Sequence, residues 1–384
     1  MTRREGNRVI LLEGGERYFP ELIAALDQAR QEIHLESYIF EPDQTGLSVV
    51  EALIRAAGRG VRVKLLLDGF GARNFPAALA RRLRAAGVAL LVFRREISPF
   101  RLRRYRLRRM HRKVVVIDAR VAFVGGINIV DDRNTMPGAG SRHDYAVRVE
   151  GPLLADIYPV VRRLWRLVRW SVIGKRPRRR PALPVTMAVA GQQTAEFLQR
   201  NNFRHRREIE EAYLEAIRAA RSEILIANAY FLPGHRFRQA LVDAAARGVR
   251  VVLVLQGRTD HPLFQLVERA LYRYFLENGI EIHEFHASEL HAKAAVVDQA
   301  WATVGSSNID PFSLLLAREA NVVVHDTVFA GQLRDSLLRA MARDAHVIQR
   351  KEWSHIPWYT RFASWTLYGL ARLVMGWLGL AGRL

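Results

Sequence analysis

Two stretches of this chain carry the same reactive side chains at the same spacing. His111, Lys113, Asp118, Gly125 and Asn128 lie in HRKVVVIDARVAFVGGIN, and His291, Lys293, Asp298, Gly305 and Asn308 lie in HAKAAVVDQAWATVGSSN. Both read His-x-Lys, four residues, Asp, six residues, Gly, two residues, Asn, the second copy displaced by 291 − 111 = 180 positions. An imidazole can attack as a nucleophile or carry a proton near neutral pH. An ammonium two residues away adds a compact positive charge, and the amide adds a donor. That compact charge suits the binding of a negatively charged phosphate oxygen. Lysine usage sharpens the point. Of 59 basic residues, five are Lys (64, 113, 175, 293 and 351), leaving 59 − 5 = 54 Arg. Arg serves wherever a generic charge suffices, so two of five Lys at matching positions mark a site where the two are not interchangeable.

The elements that must position these groups follow from alternation. The run Val114 to Ile117 reads as a buried strand. His111 and Lys113, two residues apart, then share a side. Asp118 closes the strand in a turn, and a second strand, Val121 to Val124, ends at Gly125-Gly126, where the missing side chain lets the backbone approach a ligand.

The doubled HxKxxxxD pattern resembles the signature of the phospholipase D superfamily. The resemblance implies one active site built from both copies. One His attacks phosphorus and forms a phosphohistidine; the other protonates the leaving alcohol and deprotonates the incoming one. Lys113, Lys293, Asn128 and Asn308 would hold the phosphoryl oxygens. Asp118 and Asp298 count with the catalytic set, and Gly125, Gly305 and Ser307 with the supporting set. No metal and no cofactor are expected. Two acids open apolar strands beyond the motifs, Asp144 in DYAVRV and Glu319 in EANVVV. A catalytic His needs its other ring nitrogen fixed by an acceptor. The family places a carboxylate after each motif for this, which assigns the role to Asp144 and Glu319.

Smaller features are similar to the cardiolipin synthase branch: Glu36-Ser37-Tyr38-Ile39-Phe40 with Asp43 and Gly46, its second-half counterpart Asn228-Ala229-Tyr230-Phe231, and GSSNIDPFSLLLAREANVVV from Gly305. Phe312 and Ala317 stand where that branch often has Arg and Asn. The paired N-terminal transmembrane helices of the longer synthases are missing. The branch implies transfer of a phosphatidyl group from one phosphatidylglycerol to the glycerol hydroxyl of another, with phosphatidylethanolamine as the other candidate donor. Glu36, Tyr38, Asn228, Tyr230, Arg108 and Arg109 are candidates for the substrate entrance. The two arginines close a run of six between 101 and 109, which is either a solvated face or that entrance. The competing reading is a phospholipase D-type phosphodiesterase or nuclease.

Composition agrees with a large α/β protein and an anionic partner. The chain has 384 residues, 49% hydrophobic, a net charge of +21 and no Cys, which excludes disulfides, thiolate metal sites and thiol nucleophiles. Such a charge favours an anionic membrane or a nucleic acid; the apolar, Trp-rich end of the chain makes nucleic acid the poorer fit. The N-terminus lacks an apolar run long enough for a signal peptide or a span, so a peripheral protein on the cytoplasmic face of the inner membrane is expected.

Strands alternate with helices (strand 8–12, helix 19–30, strand 32–40, helix 46–57, strand 61–67) and the order returns in the second half (helix 214–221, strand 223–231, strand within 247–257). The expected fold is a duplicated α/β/α sandwich, two pseudo-symmetric halves sharing one active site. The expected organisation is a first half (1–173), a basic Pro-rich linker (174–186), a second half (187–350) and an amphipathic membrane-associating tail (351–384). A helix over 157–173 sets Arg162, Arg163, Arg166 and Arg169 beside Leu164, Trp165, Leu167 and Trp170, and is either a packing helix with a charged outer face or membrane-facing. In the tail, Arg361, Arg372 and Arg383 recur every eleven residues, almost three helical turns. They line one stripe of a helix suited to the membrane interface.

Overall fold

A computed structural model of the chain describes residues 2–94, 108–135, 138–174, 181–201, 205–258, 262–310 and 317–350, with Thr366 and Gly369. Most of the arginine run, the centre of the linker, Phe312 and the tail lie outside these residues.

Seventeen strands and nine helices are described. In the first half they are β1 (Arg4–Glu13), α1 (Gly14–Gln28), β2 (Glu32–Ser37), α2 (Gln44–Gly58), β3 (Arg62–Asp68), α3 (Ala77–Ala85), β4 (Ala89–Phe93), β5 (Lys113–Ile117), β6 (Val121–Gly125), β7 (Arg142–His143), β8 (Tyr145–Glu150) and α4 (Leu154–Ile173). The second half contains β9 (Gln193–Arg200), α5 (Glu208–Ala219), β10 (Glu223–Asn228), α6 (His235–Ala246), β11 (Arg250–Gln256), α7 (Pro262–Arg269), α8 (Tyr272–Glu277), β12 (Glu281–Phe285), β13 (Glu289–Leu290), β14 (Lys293–Val297), β15 (Trp301–Gly305), β16 (Glu319–His325), α9 (Thr327–Asp344) and β17 (Ala345–Val347).

Fifteen strands form one sheet in the order β17-β12-β11-β10-β14-β15-β16-β9-β1-β8-β6-β5-β2-β3-β4. Read outward from the centre, the first seven strands follow the same order in both directions and β17 is added at one edge, so two copies of one half-sheet are fused edge to edge. The seam is the antiparallel pair β1–β9, with Arg4 opposite Ala195 and Asn7 opposite Gln193. Fusion removes two exposed edges that would otherwise invite pairing with other chains. β2–β3–β4 and β10–β11–β12 run parallel, while the inner strands, and β17 at the edge, pair antiparallel.

Alternation along each strand divides the core between two faces. Ile33 and Leu35 of β2 join Leu22, Leu26, Val49 and Leu53 of α1 and α2 on one face. On the other face α4 and α9 lie side by side, and one continuous cluster runs from Val9, Val147 and Ile157 to Val322, Phe329 and Leu333 across both halves.

In each half the two motif strands form a hairpin closed by a tight turn. Asp118 and Ala119 have φ of 52° and 54°, and Asp298 and Gln299 have φ of 51°. With Arg120 N–H donating to Ile117 O at 2.9 Å, this is a type I′ turn, whose hand matches the twist of the strands.

Candidate active site

Glu319, from the second half, accepts from the Nδ1 of His111, in the first, at 3.0 and 3.2 Å. Asp144, from the first half, pairs with Nδ1 of His291, in the second, at 2.5 Å. The two motifs therefore meet, and each histidine is oriented by the opposite half. Backbone bonds repeat the exchange: His111 N–H donates to Arg318 O at 3.0 Å and His291 N–H to His143 O at 2.8 Å. The short strands β7 and β13 pair in parallel across the halves. With Nδ1 engaged, Nε2 is the nitrogen left for chemistry on both rings.

Lys113 and Lys293 begin β5 and β14 and are buried beside their histidines. Lys113 Nζ donates to His111 O at 2.7 Å, and Lys293 Nζ lies 2.8 Å from His291 Nδ1 and 3.9 Å from Asp144. Burial, with repulsion from Lys293, brings the Lys113 ammonium down to about 7. Burial brings Lys293 down to about 8. Burial also pushes both imidazoles below their ordinary value, His291 the further, with both lysines adding to it. Asp144 is pushed up by its burial. The site is thus a buried cationic centre fit to receive an anion, and its burial favours the neutral imidazole that an attack requires.

Further residues hold this geometry. Asp68, at the end of β3, accepts from Met110 N–H at 2.9 Å, and Gln256, at the end of β11, accepts from Leu290 N–H at 2.6 Å. Each pins the residue before a catalytic histidine. Ser306 donates its hydroxyl to Glu319 at 2.6 Å. At the matching position, Gly126, a Cβ would lie 2.2 Å from Asp144 Oδ1, so glycine makes room for the carboxylate. Asp68 and Gln256 stand outside the motifs, and Gly126 and Ser306 hold one motif position with different residues; the strand registers of both halves bring out their roles.

Several sequence expectations are corrected here. Asp118 and Asp298 lie at the far ends of β5 and β14, roughly 20 Å along the strand from their histidines. Asp118 accepts from the N–H groups of Arg30, Gln31 and Glu32, each at 2.8 Å. Asp298 does the same for Arg221, Ser222 and Glu223. They fix the loop entering β2 or β10 and do not touch the site. The space beside Gly125 and Gly305 is filled by the neighbouring strand, since a Cβ would meet Ala146 Cα at 2.4 Å and the Asn321 side chain at 2.1 Å, so neither glycine admits a ligand. Ser307 donates to Asn308 O, and it is Ser306 that reaches the carboxylate.

Glu36 is not at an entrance. It is buried in a two-bond pair with Arg112, and the matching residues in the second half are Ala227 and Ala292. Arg109 is buried against Asp68, 3.8 Å away, and Arg94 O, while Arg108 is half-buried and accepts from Arg94 through its carbonyl. Asn228 is buried and accepts from Ile309 N–H at 3.1 Å. Asn128 accepts from Ile39 N–H at 3.1 Å. Asn228 Nδ2 and Asn308 Oδ1 are buried polar atoms without a protein partner.

Tyr38 does belong to the site: its ring lies edge-on to His111 at 4.7 Å and 5.4 Å from Lys113 Nζ. The bridges Phe40–Ile129 and Phe231–Ile309 align Phe40 with Phe231, so Tyr38 is matched by Ala229, not Tyr230. The smaller residue opens a cavity of about 280 Å³ on His291, lined also by Tyr230, Arg142, Gln256 and Arg258. The two half-sites therefore differ in lining, an aromatic ring beside His111 and a methyl group beside His291, while both imidazoles are 17% exposed.

Residues 22–162 and 213–341 match the family described as cardiolipin synthase, phospholipase D-like domain. The chain is 38% identical to cardiolipin synthase B of Escherichia coli K12, over 98% of this chain and 91% of that one. It is 31% identical to cardiolipin synthase A of Proteus mirabilis, over 93% of this chain and 74% of that one. In fold it is similar to the crystal structure of phosphatidylserine synthase from Haemophilus influenzae, with a TM-score of 0.70 at 14% identity over 97% and 95% of the two chains. The doubled motif, the fused half-sheets and the shared site define a phosphatidyltransferase of the phospholipase D superfamily. Within it, the chain belongs to the cardiolipin synthase family.

Proposed function

We propose that the chain forms cardiolipin from two molecules of phosphatidylglycerol, working as a peripheral protein on the cytoplasmic face of the inner membrane. The observation that carries the reading is the crosswise pairing of His111 with Glu319 and His291 with Asp144. It leaves one Nε2 to attack phosphorus and the other to move protons. The attack forms a P–N bond and breaks the P–O bond to glycerol, which leaves with a proton from the second histidine. The free glycerol hydroxyl of the second lipid gives its proton to that same histidine. It then forms a P–O bond as the P–N bond breaks, and the sum is two phosphatidylglycerols to cardiolipin and glycerol. Dividing one displacement into two is covalent catalysis.

Lys113 and Lys293 would neutralise the phosphoryl oxygens, and the open amide atoms of Asn228 and Asn308 give substrate polar groups a place to bond. The cavity beside His291 gives the departing and arriving glycerol groups room. Among the described residues no helix is long and apolar enough to cross a membrane. Attachment is assigned to the basic surface and the tail.

The test is purified full-length protein with labelled phosphatidylglycerol or phosphatidylethanolamine as donor, products resolved by mass. Cardiolipin and free glycerol from phosphatidylglycerol support the reading. Phosphatidic acid as the sole lipid product, or cleavage of DNA with lipid untouched, contradicts it. His111→Ala and His291→Ala should each abolish turnover, since general acid–base help alone contributes about 10²–10⁴-fold.

A further inference from the structure

The duplication supplies an internal control on the face of the sheet covered by α4 and α9. His34 lies opposite Val116 and beside Lys64; Leu225 lies opposite Val296 and beside Val252. His34 and Lys64 in the first half therefore match Leu225 and Val252 in the second. In the second half these two positions, with Leu337, Ala340 and Met341 of α9, are closed hydrophobic core. In the first half His34 and Lys64, with Arg162, Trp165 and Arg166 of α4, line an open cavity of about 1010 Å³.

Six cations line this cavity: Arg62, Lys64, Arg84, Arg162, Arg166 and Arg169. Glu32 is the one acid on its wall among the described residues. It is already engaged by Lys64 at 3.0 Å, Arg62 at 3.2 Å, Tyr158 at 3.3 Å and the buried His34. No acid of the described residues is within ion-pairing distance of Arg84, Arg166 or Arg169. Leu90, Leu91 and Trp165 give the cavity an apolar wall beside its cations. Just outside, on the same helix, Leu167, Trp170 and Val172 are 43%, 50% and 60% exposed. Clustered cations above apolar walls, next to an exposed Trp, suit a molecule with an anionic head and a hydrocarbon body at a membrane boundary. Glu32 and Tyr38 mark the two ends of β2, roughly 20 Å apart, so the cavity is not part of the catalytic cleft.

We propose that this cavity is a second, non-catalytic lipid site. It takes the phosphate of one anionic phospholipid on the α4 arginines and the acyl chains along Trp165, Leu90 and Leu91, and holds the first half against the membrane while the histidines turn over other lipids. One copy of the duplicated fold has exchanged core residues for a lipid anchor.

The test compares the full-length protein with Arg166→Glu/Arg169→Glu, both exposed on α4, and with Arg218→Glu/Arg221→Glu, an equal charge change on exposed residues away from the cavity. Three quantities are measured: cosedimentation with phosphatidylglycerol–phosphatidylcholine vesicles, binding of inorganic phosphate and glycerol phosphate, and turnover of a monomeric short-chain phosphatidylglycerol. Vesicle affinity should fall by roughly tenfold or more in the first variant and stay near wild type in the second. Short-chain turnover should be unchanged in both, so that failure of the catalytic reading shows separately in that assay. Equal loss in the two variants would mean that only overall charge acts, and would overturn the site. Soluble phosphate binding that is lost in the α4 variant while vesicle affinity is kept would assign the cavity to a soluble phosphate compound, and would also overturn the proposal.

Discussion

Each motif histidine is paired with a carboxylate that its own half does not provide. Glu319→Gln should keep the fold and lower kcat by roughly 10²-fold or more, because an amide no longer holds the His111 tautomer or stabilises its charged form. Asp144→Asn should do the same through His291. Steady-state kinetics on a soluble short-chain lipid checks both. The lysines give a pH signature of definite sign. Lys113 and Lys293, at about 7 and about 8, must be protonated to receive a phosphodiester anion. kcat/KM should therefore be full below that window and fall as pH rises through it; a profile flat to pH well above 8 would exclude the lysines as the phosphate-binding charges. The histidines and lysines were legible in sequence because a side chain that meets substrate is held to one spacing in both copies. Asp68 and Gln256 were not, because a residue that pins a backbone N–H can sit on any element that reaches it.

The motif strand shows how a repeated residue can be structural. Asp118 recurs with His111 and Lys113, yet it serves the opposite end of the strand, where it gathers three N–H groups of the loop into β2. Asp118→Ala should cost about 1–2 kcal/mol of stability for the lost bonds and leave kcat per folded molecule near wild type. Thermal unfolding beside active-site titration would separate the two effects, and a large fall in kcat with unchanged stability would return Asp118 to the catalytic set. Helix and strand types followed from apolar periodicity, while their ends moved. α5 begins at Glu208, six residues before the expected start at 214: its buried face already includes Ile209, Ala212 and Tyr213, and Glu208, Glu210 and Glu211 favour a helix N-terminus. Tyr38 and Tyr230 were paired by sequence resemblance, but bridges to Ile129 and Ile309 set the register one residue away. A slip of one residue in a strand changes which side chain faces the site.

At the scale of the molecule, the duplication was legible in the repeat, whereas the crosswise exchange of carboxylates was not. It follows from the β1–β9 seam, which places the motif hairpins of the two halves side by side, and no single half encodes that contact. The unequal half-sites and the cationic cavity under α4 likewise come out only when one half is laid on the other. Charge and tail belong to this scale too. A protein of net charge +21 should bind anionic vesicles in a salt-dependent way. Deleting residues 355–384 should weaken that binding while turnover of a short-chain lipid persists; vesicle binding as tight as the full chain's would remove the tail from the anchor. The central claim is that two halves make one site that works through a covalent histidine intermediate. Its most direct test is the stereochemical course at phosphorus, using a phosphatidylglycerol made chiral at phosphorus with oxygen isotopes and a second alcohol as acceptor. Two in-line displacements predict retention of configuration in the product. Inversion would show a single direct displacement and contradict the account.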